Sequence, residues 1–180
     1  MAELIQKVYA QALFDAAVEE NLLEETKNEL DTLSSVFSEQ PLFLTLLSSP
    51  AVTREEKAQM LKETISGKVE PILYNFFRIL ADEQRAGFFP QIQQAFTALY
   101  RDYHNILPVT AVTAVPMTGQ QIEKLSARLS ALSGKNVLLQ NKVDASLIGG
   151  VLLQYDGHEL DGSVREQLDS LRRNLTRIVL

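Results

Sequence analysis

The sequence predicts an all-α N-terminal six-helix bundle followed by a small α+β C-terminal domain, and three observations carry this expectation. Up to His104, apolar residues recur at helical spacing in six segments separated by Pro, Gly or capping residues. After Asn105 the texture changes: Ile106-Leu107-Pro108 breaks the last helix, and Val109 to Val115 is β-branched and alternating. Charge divides at the same place. Residues 1–105 carry nine Lys/Arg against sixteen Asp/Glu, a net of −7, whereas residues 106–180 carry eight against seven, a net of +1. The predicted domains are therefore 1–105 and 106–180.

The first helix is expected from Glu3 to about Glu20, a stretch with helical period and no breaker. A more polar second helix runs from Leu22 or Glu24 to Ser38, burying Leu30, Leu33 and Phe37. Pro41 can start a short third helix through Leu47, ending before Ser49-Pro50, because Pro suits a first helical turn but disfavours helix in the residue before it. Thr53 with Glu56 forms a capping box for the fourth, which Gly67 closes. Pro71 begins the fifth, to about Glu83, and the sixth runs from about Phe88 to His104. No internal repeat is present, so short links between these helices imply an antiparallel bundle and not a solenoid.

In the second half, Thr118 and Gln121 box the start of a helix with Ile122, Leu125, Leu129 and Leu132 as its stripe, ended by Gly134. Val137 to Val143 and Val151 to Leu160 supply further strands, the latter folded back at Asp156-Gly157, since a two-residue hairpin turn needs positive φ. Ser163 and Glu166 cap a final helix, whose Val164, Leu168, Leu171, Leu175 and Ile178 form an apolar stripe.

Composition and motifs exclude most chemistry. The chain has a net charge of −6, and its acidic first half lacks the basic patch that phosphate backbones require. No cysteine occurs, so disulfides and thiolate metal sites are excluded. No apolar run is long enough to span a bilayer, and the start lacks the basic and apolar regions of a signal peptide, so the mature protein is expected to begin at Met1. Ser133-Gly134-Lys135 lacks the upstream glycine and the hydroxyl of a phosphate loop, and Gly149-Gly150 lacks the third glycine of a dinucleotide fingerprint. His158-Glu159 has no second histidine at zinc-protease spacing, and the other histidine, His104, ends a helix. Asp144, Asp156 and Asp161 each have a local role at a strand end, a turn or a cap. Asn174-Leu175-Thr176 matches a glycosylation acceptor inside a predicted helix, without a secretion signal to make it relevant. No cofactor, metal or nucleic acid is expected.

Two helices are apolar on more than one side. In the first, Ile5, Val8, Tyr9, Ala12 and Ala16 form one stripe, widened by Leu13, while Ala10, Phe14 and Ala17 point the other way. In the fifth, Ile72, Leu73, Phe76, Phe77, Ile79, Leu80 and Ala81 leave only Asn75, Arg78 and Asp82 as a polar edge. Such helices are either central in the bundle or present a face to a partner; the pattern alone leaves both open.

An ordered set of motifs spanning the chain resembles the delta-subunit family of the bacterial F-type ATP synthase, which includes the mitochondrial oligomycin-sensitivity subunit. The set comprises Tyr9-Ala10-Gln11-Ala12-Leu13-Phe14, Ser49-Pro50, Asn75-Phe76 to Leu80 with Arg85, then Asp144, Leu147 to Gly150, and Asp161 to Val164. The resemblance implies a non-catalytic stator connector between the alpha subunits of the catalytic head and the peripheral stalk. It implies that Tyr9, Ala12, Asn75 and Ile79 line or flank a groove for an alpha subunit's amphipathic N-terminal helix, and that Gly149, Gly150, Asp161, Gly162 and Ser163 form a structural signature. The second domain would grip the C-terminal ends of the stalk subunits. One copy per complex is expected, at the cytoplasmic face of the bacterial plasma membrane and attached to it only through the complex. Two rival classes make different demands: an enzyme needs a deep pocket with shifted carboxylates or histidines, and an unrelated helical scaffold needs the first and fifth helices buried or bound to some other helix.

Overall fold

The computed structural model describes residues 2–168, with side chains from residue 5 onward. It divides into two compact units, Met1–Tyr100 and Arg101–Leu180. The first is helical; the second combines a four-stranded sheet with helix.

The helical unit contains α1 (Ala2–Glu19), α2 (Leu23–Glu39), α3 (Pro41–Ser48), α4 (Arg54–Thr64), α5 (Pro71–Asp82) and a 3-10 turn, Ala86–Phe88, that runs into α6 (Phe89–Tyr103), of which residues 89–100 belong to this unit. Asparagine and glutamine do work that the sequence had no glycine to advertise. Asn21, at φ 58°, follows α1, and the next amide, Leu22, donates back to the Ala17 carbonyl at 2.9 Å. Gln84, at φ 57°, ends α5 in the same way, with the Arg85 amide 2.7 Å from the Leu80 carbonyl. The capping box at the start of α4 is complete: the Glu56 amide donates to Thr53 Oγ1 at 3.3 Å and the Thr53 amide to Glu56 Oε2 at 2.9 Å. The other end of α4 differs from expectation. Helix stops at Thr64, and Gly67, at φ +75°, belongs to a separate turn closed by the Lys68 amide on the Ile65 carbonyl at 3.0 Å.

The unit is organised around rings. Phe37 meets Phe43, Phe77 and Phe89 at centroid separations of 5.2, 5.6 and 5.4 Å, and Phe14 packs edge-on to Phe96 at 5.8 Å. Phe77, Phe89 and Phe96 are fully buried together with Leu30, Leu47, Leu61, Leu73, Leu80 and Ile92. Each such side chain contributes about 1.5–3 kcal/mol of burial. A polar seam joins α2 to α6: the Tyr100 hydroxyl donates to Glu24 at 2.7 Å, and Gln93 Nε2 donates to Asp31 at 2.8 Å. Asp31 is also paired with Lys27. Glu29 of α2 fixes the entry to α5, its two oxygens accepting from the Glu70 amide at 2.9 and 3.2 Å. A carboxylate there satisfies a donor at the helix start and sits at the positive end of the dipole.

In the second unit the strands β1 (Ile106–Thr113), β2 (Asn136–Val143), β3 (Val151–Tyr155) and β4 (His158–Asp161) lie in the order β2-β1-β3-β4. β1 and β2 are parallel, joined through α7 (Gly119–Ser133), whereas β3 is antiparallel to both β1 and β4. The strand begins earlier than expected, at Ile106, and includes Pro108. The register explains how proline is accommodated. The Asn136 amide donates to the Asn105 carbonyl and the Asp144 amide to the Thr113 carbonyl, both at 2.8 Å, so odd-numbered residues of β1 turn their backbone groups to β2. Pro108 therefore faces the β3 side, where pairing starts only at Thr110, and no ladder donor is lost.

α7 carries the predicted Thr118–Gln121 box and ends at Gly134, at φ 68°. Its stripe is thinner than expected. Ile122, Leu125 and Leu129 are half-buried, but Leu132 is 80% exposed. Two serines of α7 instead bind strand backbone: Ser126 donates to the Val137 carbonyl at 2.8 Å, and Ser130 accepts from the Val137 amide at 3.1 Å. Val137 is an odd-numbered residue of the outermost strand, so these hydroxyls occupy groups that no neighbouring strand reaches. The β3–β4 turn has Asp156 at φ 43° and Gly157 at φ 76°, the two positive φ values the Asp-Gly pair predicts. Residues 164–168 are helical, while Leu171, Leu175, Ile178 and the Asn174-Leu175-Thr176 tripeptide lie outside the described residues.

Candidate functional site

On α1, Ala10, Leu13, Phe14 and Ala17 are buried in the core of the helical unit. The opposite stripe is on the surface: Val8 is 59% exposed, Ala12 is exposed, and Ile5, Tyr9 and Ala16 are half-buried. The two apolar sides thus separate into a core face and a free face. α5 is less two-sided than its composition suggested. Leu73, Phe76, Phe77, Leu80 and Ala81 are buried and Ile72 is half-buried, leaving Ile79, 52% exposed, as the single apolar residue that joins Asn75 and Arg78 outside.

The structure brings α1 and α5 together at Tyr9. Its ring meets Phe76 edge-on at 6.4 Å, and Arg85, just past α5, donates to its hydroxyl at 2.9 Å with the guanidinium 5.6 Å from the ring centroid. Val8 and Ala12 precede and follow Tyr9 by one residue and three; Asn75 and Ile79 do the same to Phe76. All four are therefore displaced to one side of the Tyr9–Phe76 seam on their own helix. The short Ala12 side chain leaves room for close backbone approach. Phe76 and Arg85 thus both hold Tyr9 to α5 and the turn that follows it. Sequence reasoning quoted Arg85 only as part of a motif; its role as the clamp on Tyr9 depends on a contact between residues 76 positions apart.

In the second unit the two halves of the glycine-rich signature meet. A Cβ on Gly150, at φ +83°, would lie 2.5 Å from the Gly162 carbonyl oxygen and 2.8 Å from Ser163 Cα. Backbone bonds run across the same junction, from the Val164 amide to the Gly149 carbonyl and from the Gly162 amide to the Val151 carbonyl, each at 3.0 Å. Asp161 accepts from the Ser163 amide at 2.7 Å, and Ser163, 1% exposed, accepts from the Glu166 amide at 3.2 Å. Gly149, Gly150, Asp161, Gly162 and Ser163 therefore form one backbone clasp that sets where the last helix starts. Asn141 is a second lock, which periodicity did not reveal. Its Nδ2 donates to the Ala111 carbonyl at 2.9 Å and to Thr113 Oγ1 at 2.8 Å, while its Oδ1 accepts from the Met117 amide at 2.9 Å.

Electrostatics agrees with a structural assignment of these residues. Backbone hydrogen bonds hold the Asp161, Asp144 and Glu56 carboxyls below the usual carboxylate range, through Ser163, Ser146 and Thr53 respectively. The hydrogen bond to Glu24, reinforced by burial and by the charges of Glu24 and Asp31, pushes the Tyr100 hydroxyl up to about 12. Each shift follows from a cap, a turn or a helix–helix bond. None belongs to a set of groups converging on one cleft, which acid-base or nucleophilic catalysis would need. Among the described residues, no helix is long and apolar enough to cross a membrane.

Comparison with known proteins gives a consistent result. The family model described as ATP synthase delta (OSCP) subunit matches residues 5–175. ATP synthase subunit delta of Alkaliphilus oremlandii (strain OhILAs) is 36% identical over 180 residues, covering 100% of both chains. That of Clostridioides difficile (strain 630) is 31% identical over 183 residues, covering 99% of each. Among solved structures, a chain of the Toxoplasma gondii mitochondrial ATP synthase hexamer superimposes with a TM-score of 0.67 at 26% identity, over 95% of this chain and 97% of that one.

Proposed function

The chain belongs to the ATP synthase delta (OSCP) subunit family, and we propose that its helical unit seats an amphipathic N-terminal helix of an alpha subunit on the surface around Tyr9, Ala12, Asn75 and Ile79. It is a structural subunit of the F-type ATP synthase and part of its peripheral stalk, not itself catalytic. The observation that carries the proposed surface is the division of α1 into a buried face and an exposed apolar face, with Val8 59% and, across the seam on α5, Ile79 52% exposed. An incoming amphipathic helix covers such a strip in the helix-in-groove mode.

In this reading residues 1–105 act as a self-standing six-helix bundle on the catalytic head, and residues 106–180 hold the C-terminal ends of the stalk subunits. The Gly150 clasp supports the second part, because it fixes the exit of the last helix relative to the sheet. Mechanically, the connector has to resist torque: if either attachment slips, the head turns with the rotor and nucleotide exchange is no longer driven. Attachment is at the cytoplasmic face of the plasma membrane, through the complex, with one copy in each.

The test is reconstitution of purified catalytic head with the full chain. Wild type should be retained on the head, and Ile79→Asp, a change at an exposed position, should reduce retention by about tenfold or more by setting a charge against an apolar helix. Unchanged retention of Ile79→Asp would remove α5 from the interface.

A further inference from the structure

Between α4 and α5 the helical unit has a cavity of about 370 Å³ that shares no residue with the surface around Tyr9. Lys57 lines it, only 3% exposed, and Arg54 and Arg78 stand at its rim. The Lys57 ammonium has three donors, and the structure gives it one partner, the Ala81 carbonyl in the last turn of α5 at 3.3 Å. That contact caps the negative end of the helix but leaves two donors of a buried cation unused. Glu55 and Asp82 also line the cavity, yet among the described residues no ion pair joins either of them to the three cations. Tyr74, Leu61 and Ala58 give the walls an apolar part. Three cations against two carboxylates therefore leave this one concavity with an excess of positive charge, in a unit whose charge is otherwise strongly negative.

We propose that this cavity seats a carboxylate-bearing segment of a partner polypeptide, making a second docking point independent of the α1 and α5 surface. The carboxylate takes the free donors of Lys57 and is bracketed by the Arg54 and Arg78 guanidinia, while the aliphatic part of the acidic side chain lies against Tyr74 and Leu61. Charge complementarity selects the occupant: a basic or purely apolar segment would leave the buried ammonium uncompensated. The volume is within the range of pockets that hold a ligand group.

The experiment is amide NMR of the full chain titrated with a hexaglutamate peptide, a hexaglutamine peptide and inorganic phosphate, repeated on Arg78→Gln and Lys57→Met with circular dichroism as the folding control. The expected result is saturable shifts confined to the amides around Lys57 and Arg78 with hexaglutamate and none with hexaglutamine. Affinity should be about tenfold weaker in Arg78→Gln and reduced further by added salt. Arg78 is exposed, so this variant keeps the test decisive even if Lys57→Met fails to fold. Three results would overturn the proposal: no localised shifts, equal hexaglutamate affinity for wild type and Arg78→Gln, or phosphate saturating the same amides as tightly as the peptide, which would assign the cavity to a free anion.

Discussion

In the helical unit the tightest packing is between rings, with Phe37, Phe77 and Phe89 at centroid separations of 5.0–5.6 Å. In the α+β unit it is between stretches of bare backbone, with the Cβ position of Gly150 only 2.5 Å from a carbonyl oxygen. Buried apolar side chains differ in the same sense. The first unit buries large residues from all six of its helices, whereas among its described residues the second buries only Val109, Ala111, Val112 and Leu147, and none from α7. Side-chain-to-backbone bonds from Asn141, Ser126 and Ser130 supply much of what packing does not. The contrast implies that the units fail differently. Loss of volume should damage the first, and loss of backbone freedom the second.

The largest expected effect is in the ring core. Phe77→Ala removes a fully buried ring touching three others and should cost about 3–5 kcal/mol in chemical denaturation. Leu132→Ala in the second unit, at an 80% exposed position, should change stability by only about 0.5 kcal/mol or less. Next comes Gly150→Ala, which combines a positive φ with a backbone clash and should destabilise the second unit by about 3 kcal/mol. Gly157→Ala is its control, because φ is similar, +76°, but nothing lies within 4 Å; about 1 kcal/mol is expected there. Equal costs at the two glycines would show that the conformation, and not the close approach, is what matters.

Smaller effects separate the units by pH. The Asp161 and Asp144 carboxyls are depressed in the folded state, so the stabilisation they bring is present above the unfolded carboxylate range and lost as pH falls through the folded values. Tyr100 is raised to about 12, so its contribution is complete below the ordinary tyrosine value of 10.0 and disappears as pH climbs from there to about 12. Denaturation followed with probes in each unit should give the α+β unit an acid limb that Asp161→Asn flattens. The helical unit should show an alkaline limb that Tyr100→Phe abolishes, along with a smaller acid limb from Glu56.

Much of this architecture was legible because it rests on local chemistry. The capping boxes of α4 and α7, the Asp156-Gly157 turn and the two faces of α1 follow from spacings of four residues or fewer, and the structure realises each of them. At the third expected box, Ser163 accepts from the Glu166 amide but its own amide donates to Asp161. What the sequence hid depends on distant partners. The Glu29 clamp on Glu70, the Arg85 clamp on Tyr9 and the Asn141 lock span 41, 76 and up to 30 positions, and no periodicity announces them. Helix does stop before Ile106-Leu107-Pro108 as expected, but the inclusion of Pro108 in β1 was not legible, because its tolerance there depends on where β3 ends. At the candidate site the apolar strip on α1 was visible, but the burial of most of α5's apolar residues was not, since a wheel cannot say how many neighbours surround a helix.

The central claim is that the exposed face of α1 receives a partner helix, and Ala12 tests it most directly. Titration calorimetry of the full chain against a peptide of the alpha subunit's N-terminus, with circular dichroism as folding control, should show wild-type helicity for Ala12→Asp and a binding loss of about 2 kcal/mol or more, roughly thirtyfold. Equal affinity of the two proteins for the peptide would contradict the account, and loss of helicity together with binding would return Ala12 to the core.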